Sequence, residues 1–306
     1  MAGTLMTAAR ALAILVFAAT PALWAQGGVE ELLEQKTLQR LRDFDARFDG
    51  VLGVAAVDLA NGHVFSYHGD AVFTQASSIK IPVLIEIFKA QRAGELRLSD
   101  RVMLLPRDMA GGSGTLAARL AKGEALTLTV EELVRHMIVE SDNTAANKLI
   151  DMAGMERVNR TLESLGLAHT RLRRKMMDDA AVERGDENVS TPLEMARLAA
   201  LLYGGRIIDE KACREMLAVM KQVKAAMRAA VPSRYEVAAK PGGVDGVRCE
   251  TGIVYLDRRP FALSVMSVYD PPKAEDPVGP VTRIVFDHFE RLAHSNRYGH
   301  RFAPVP

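Results

Sequence analysis

AVFTQASSIKIPVLIEIF, residues 71–88, is the stretch where a β-patterned part of the chain gives way to a helical one, and its reading decides the fold. Upstream of it, VLGVAAVDL (51–59) and HVFSYH (63–68) are rich in β-forming residues and are separated by Ala60, Asn61 and Gly62. Asn-Gly between two such runs is a strong hairpin signal, because both residues tolerate the positive φ that tight hairpin turns require. Further upstream, VEELLEQKTLQRLRDFDARF (29–48) repeats apolar residues at Leu33, Leu38, Leu41, Phe44 and Phe48, which predicts an amphipathic helix. Downstream, from about Ser78 to Ala229, the pattern is largely helical, punctuated at Gly94, Gly111 to Gly114, Gly123 and Gly166. Thr129, Asp142 and Thr191 stand where N-caps are expected. β character then returns in RYEVAAK (234–240), RCETGIVYL (248–256) and FALSVMSVY (261–269), with a turn at Asp257 to Pro260. The five β runs are expected to form one sheet, with an all-helical part inserted between its halves and the last helix, VTRIVFDHFERLA (281–293), returning to cover it. The expected fold class is therefore mixed α/β of the α+β kind.

Composition narrows the function. The chain has 306 residues and 48% apolar content, enough for a sizeable core. Thirty-nine Lys and Arg balance 38 Asp and Glu, which leaves no general field to recruit nucleic acid. Residues 1–25 give a cation at Arg10, an apolar run from Ala11 to Thr20, Pro21, and small residues ending at Ala25, which reads as a secretory signal peptide. The run is shorter than the roughly 20 residues a bilayer span needs. Leu23 is an imperfect fit to the cleavage site, so an uncleaved tether is the alternative. With Ala25 as the last leader residue, residues 26–306 are expected to form one domain, with a sheet part at about 29–76 and 230–306 and a helical part at about 77–229. Export permits a disulfide between Cys213 and Cys249 without demanding one. No Cys or His grouping has metal-ligand spacing, so neither metal nor cofactor is expected.

Ser77 and Lys80 stand one helical turn apart at the start of a helix, where a lysine nitrogen can reach a serine oxygen and the helix dipole favours developing negative charge. A serine hydroxyl needs such a neighbouring base to act as a nucleophile at neutral pH. The competing reading is that Ser77 or Ser78 caps the helix and Lys80 is a solvated charge. Pro82, close behind, strains an ordinary helix beyond its first turn. Two further motifs follow in order: Ser141-Asp142-Asn143, 64 residues after Ser77 at the start of a helical segment, and Lys240-Pro241-Gly242 at the end of a strand. Together they resemble the S-x-x-K, S-D-N and K-T-G set of class A β-lactamases and penicillin-binding proteins. The chain is most similar to the β-lactamase-related serine hydrolases that carry GGSGTL before the Ser-Asp-Asn helix, here Gly111 to Leu116, and RKMMD after it, here Arg174 to Asp178.

The resemblance implies a five-stranded antiparallel sheet covered by terminal helices and a serine hydrolase acylated at Ser77. Lys80 takes or relays its proton, Ser141 passes a proton to the leaving nitrogen, and Lys240 holds Ser141 and the substrate carboxylate electrostatically. Asn143 binds the substrate amide and steadies Lys80. The amides of Ser77 and Gly243, beside Gly242, form the oxyanion hole. Partners implied are a small-molecule β-lactam or a peptidoglycan peptide, in a periplasmic or secreted setting linked to antibiotic resistance.

The chain departs from this pattern at two places. The Glu-x-x-Leu-Asn that activates the deacylating water is absent, and Met176 or Met177 stands near its position. Asp178, Asp179 and Glu183 are the available carboxylates, with Asp178 the candidate substitute; pairing with Arg171, Arg173 or Arg174 is the alternative. Pro241 replaces a hydroxyl residue, which calls for an edge strand. Arg248 either compensates by binding a carboxylate or pairs with Glu250 or Asp245. Class A-like hydrolysis of the β-lactam amide is the leading expectation. A penicillin-binding peptidase with slow deacylation, a non-enzymatic β-lactam or cell-wall sensor, and a general esterase are the alternatives.

Overall fold

A computed structural model describes residues 28–302. The expected signal peptide lies outside the described residues. Along the chain, α1 (Val29–Asp45) leads into the hairpin of β1 (Val51–Asp58) and β2 (Val64–Tyr67). β3 (Phe73–Thr74) and a 3-10 turn (Ser77–Ile79) then run directly into α2 (Lys80–Arg92). The inserted region continues through β4 (Arg101–Leu104), α3 (Leu116–Leu120), β5 (Leu126–Thr129), α4 (Val130–Val139), α5 (Asn143–Ala153) and α6 (Met155–Ser164). It is completed by α7 (Asp179–Glu183), β6 (Val189–Ser190), α8 (Pro192–Tyr203), α9 (Glu210–Met220) and α10 (Ala226–Ala230). The chain closes with β7 (Val237–Val244), β8 (Val247–Val254), β9 (Phe261–Val268) and α11 (Val278–Ala293).

The five expected β runs form one antiparallel sheet in the order β2-β1-β9-β8-β7. Period-two alternation divides its side chains between two cores, since successive residues of a strand point to opposite faces. Val54, Ala56, Leu263 and Val265 face α1 and α11, where Leu41, Val281, Val285 and Phe289 complete one core. Ala55, Val57, Ala262 and Met266 face the inserted helices and join the other. Both faces are thus covered, and α8, buried through Met195, Ala196, Leu198, Ala199 and Leu202, supplies much of the second layer.

Two small sheets apart from the five-stranded one were not anticipated: β4 pairs β5, and β3 pairs β6. Runs of two to four residues are too short for alternation to be told from loop, and their partners lie far away in sequence. The anticipated caps are made. Thr129 and Glu132 form a capping box, and the side chains of Asp142 and Thr191 accept from Ala145 N and Glu194 N. Pro82 falls inside the first turn of α2, where its missing N–H has no intrahelical acceptor to lose, so the helix accommodates it. β7 is an edge strand, as Pro241 requires.

Candidate active site

The 3-10 turn at the start of α2 lies against β7. Its caps are Ala76 and Ile79, not Ser77 or Ser78, so the capping reading of these serines is not realised. Ser78 instead donates its Oγ hydrogen to the Lys240 carbonyl at 2.9 Å and receives the Cys249 thiol at 3.2 Å. This ties the turn to the strand. The approach is close enough that a Cβ on Gly242 would lie 2.5 Å from Ser77 N and 2.8 Å from Ser78 N. Only a residue without a side chain fits there. Gly242→Ala is therefore expected to destabilise the fold by about 1–3 kcal/mol through forced displacement of the turn. Denaturant unfolding measures this, and an unchanged midpoint and slope would show that the turn can retreat at no cost.

Lys80 is not a solvated charge. It is fully buried, and its Nζ donates to the Ser141 carbonyl (2.6 Å) and to Asn143 Oδ1 (2.8 Å), with Ser141 Oγ at 3.3 Å. Burial above all, then the nearby Lys240 charge, holds its pKa well below the usual lysine value, against a smaller opposing pull from Asp142. Lys240 is equally buried and donates to Ser141 Oγ (3.0 Å) and to the Pro241 carbonyl (2.7 Å). Burial lowers its pKa to about 8, partly offset by Cys249 and Glu250. Ser141 Oγ thus stands between two lysines.

The backbone of Ser141 has φ +55°, a left-handed conformation that L residues hold only when their surroundings impose it. The imposing contacts come from the loop at residues 111–116. Asn143 N donates to the Ser113 carbonyl (3.1 Å), Asn143 Nδ2 to the Gly111 carbonyl (2.8 Å), and Leu116 N to the buried carboxylate of Asp142 (2.9 Å). A Cβ on Gly114 would collide with Asp142, which explains a glycine there. The amide of Asn143 keeps one of its two N–H donors for a ligand.

Ser77, Lys80, Ser141, Asn143, Lys240 and Gly242 are therefore brought together by the turn before α2, the start of α5 and β7. Gly243, the next residue, is exposed at the sheet edge. The structure does not bring Asp178 into this hydrogen-bonded group. Its carboxylate caps α7, accepting from Ala181 N at 3.0 Å. The residue flanking the site is Met177, at φ +61° and exposed. The position a Cβ would take on Gly112 lies 2.9 Å from Met177 Sδ and 2.9 Å from Asn143 Nδ2. Met176 is pinned on the inner side by two hydrogen bonds to the Asn147 amide, at 2.8 and 3.0 Å. The arginines of this loop pair elsewhere, Arg174 with Glu187 and Arg171 with Glu163.

Arg248 makes neither of the ion pairs anticipated for it. Its Nη1 donates to the carbonyls of Val244 and Val247, and Glu250 instead accepts from Ala226 N and Met227 N at the start of α10. The two cysteines are buried and free. Three partners had no chemical signal in the sequence: Asn147, Ser78 and Cys249 are common residue types whose contacts span 29, 162 and 171 positions.

Residues 35–289 match a family described as the Beta-lactamase enzyme family. The chain is similar to β-lactamase OXY-2 of Klebsiella oxytoca, 28% identical over 260 residues, covering 83% of this chain and 86% of that protein. It is also similar to β-lactamase CTX-M-25 of Escherichia coli, 27% identical over 261 residues, covering 82% and 88%. Among solved structures, a β-lactamase from Sphaerobacter thermophilus superposes with a TM-score of 0.76 at 31% identity, covering 83% of this chain and 97% of that one. A mutant of the protein PBP-A, solved as an acyl-enzyme complex with penicillin G, superposes with a TM-score of 0.75 at 25% identity, covering 86% and 97%.

Proposed function

Because the chain belongs to the Beta-lactamase enzyme family, as a class A-like serine hydrolase, we propose that it hydrolyses the β-lactam amide through an acyl-enzyme on Ser77. The observation that carries this reading is the convergence on Ser141 Oγ of Lys240 and of Lys80, which starts the helix that follows the Ser77 turn. A neutral Lys80 has two N–H groups, and the Ser141 carbonyl and Asn143 Oδ1 engage both, which leaves its lone pair to accept the Ser77 proton. Ser77 Oγ bonds to the carbonyl carbon as its proton passes to Lys80. The C–N bond then breaks, and the nitrogen takes the Ser141 proton, which Lys80 replaces. The amides of Ser77 and Gly243 hold the oxyanion, worth about 2.7–4 kcal/mol per donor. The remaining N–H of Asn143 binds the substrate amide, and charged Lys240 attracts the substrate carboxylate.

Water then releases the acyl group. No carboxylate takes the usual glutamate's place beside Asn143, where Met177 stands, so release is slower than acylation in this reading. The penicillin G acyl-enzyme of a PBP-A mutant shows that a protein of this fold can hold such an intermediate. The character of residues 1–25 supports export to the periplasm or beyond, with residues 26–306 as one catalytic domain. Among the described residues no helix is long and apolar enough to cross a membrane.

The test is to mix the protein with a chromogenic cephalosporin and follow colour and protein mass together. Turnover through a transient mass increase is expected; no turnover and no mass change in a folded protein would overturn the proposal. The pH profile adds a second check. Acylation needs neutral Lys80 and charged Lys240, so kcat/KM is expected to fall on the alkaline side with a pKa of about 8, as Lys240 deprotonates. A profile flat to pH 10 would show that the Lys240 charge is not used.

A further inference from the structure

The Ser141 carbonyl accepts two hydrogen bonds, from Lys80 Nζ at 2.6 Å and from Ser113 Oγ at 2.7 Å. A carbonyl oxygen has two lone pairs, so the two donors share its accepting capacity. Ser113 touches none of Ser77, Lys80 or Lys240 through a hydrogen bond of its own, yet it holds the group that orients the base. Its carbonyl also accepts from Asn143 N at 3.1 Å, which fixes the residue carrying the second acceptor for Lys80. We infer that Ser113 is a positioning residue for the reaction at Ser77, keeping the Ser141 carbonyl oriented and only partly available to Lys80. The inference rests on the acylation reading given above.

The physical consequence has a sign. With the Ser113 hydroxyl removed, the Ser141 carbonyl becomes a stronger acceptor for Lys80, and a stronger acceptor favours the ammonium over the neutral amine. Lys80 then needs a higher pH to become the base. The other charged groups that act on Lys80 are Lys240 from β7 and Asp142 from the start of α5, and both remain in place when Ser113 is changed. Ser113 is only half-buried in its loop, so removing one oxygen leaves no large cavity.

The experiment measures the second-order rate of Ser77 acylation by a chromogenic cephalosporin between pH 5 and 9 in the unaltered protein, Ser113→Ala and Ser113→Thr. The ratio of Ser113→Ala to the unaltered protein is expected to be lowest at acidic pH, about tenfold down for each unit by which the acidic limb moves up, and to approach one as pH rises. The alkaline limb set by Lys240 should be common to all three. Ser113→Thr, which keeps the hydroxyl, should follow the parent profile. A uniform loss at every pH would show that Ser113 is merely structural, and no loss at all would show that it is dispensable; either overturns the inference. An unaltered protein that is never acylated would instead overturn the reading beneath it.

Discussion

Ser77→Ala is expected to abolish both the covalent mass increase and cephalosporin turnover, with a rate loss of about 10⁴-fold or more. Removing the nucleophile of a serine hydrolase leaves only what oxyanion donors and binding contribute to direct attack by water. Stability should hardly move, within about 0.5 kcal/mol, because Ser77 caps neither its turn nor α2 and its hydroxyl is not in the buried set of hydrogen bonds that joins the turn to β7. That bond belongs to Ser78. The neighbouring pair therefore separates chemistry from architecture. Ser78→Ala should retain acylation capacity while losing about 1–3 kcal/mol, since it leaves a buried carbonyl and thiol short of a partner. Intact-protein mass after β-lactam exposure distinguishes them. A Ser77→Ala protein that still gained the β-lactam mass would move the nucleophile elsewhere.

The second large effect runs in the opposite direction. Met177→Glu is expected to speed release of the acyl group by about 10²-fold or more, the usual contribution of a well-placed general base. Met177 flanks Gly112 opposite the Asn143 amide, and its backbone already holds φ +61°, so glutamate inherits the strain without adding to it. The nearest acid in sequence, Asp178, has its carboxylate committed to the N–H of Ala181 at the start of α7. Asp178→Asn should accordingly weaken that cap slightly and leave the acyl-enzyme lifetime nearly unchanged. The decay of the mass-labelled protein after removal of excess β-lactam reads both variants. If Met177→Glu left that lifetime unaltered while acylation persisted, the deacylating water would have to sit elsewhere.

Much of the protein is legible in its sequence. Runs of β-forming residues in 51–68 and 234–269 defined the strands, because a sheet buried on both faces demands apolar residues in long runs broken only by turns. Ser77, Lys80, Ser141 and Lys240 could be singled out because a hydroxyl nucleophile needs an adjacent base, and this set of motifs occurs in a characteristic order. Those are properties of residue type and spacing. What residue type could not decide was which of several equivalent groups meets which. Asp178 and Met177 are adjacent, yet one caps a short helix and the other lies beside the site, a difference set by the left-handed turn at Met177. Arg248 had two carboxylates within three residues and bonded to carbonyls instead, because the Glu250 carboxylate is taken up by the free N–H groups at the start of α10. The lowered pKa values of Lys80 and Lys240 come from burial, which is the sum of contacts made by strands and helices more than 60 residues apart. Sequence by itself determined the fold and the cast of candidate residues; tertiary structure decided their burial, their orientation and which of them meet, because those depend on distances that only packing sets.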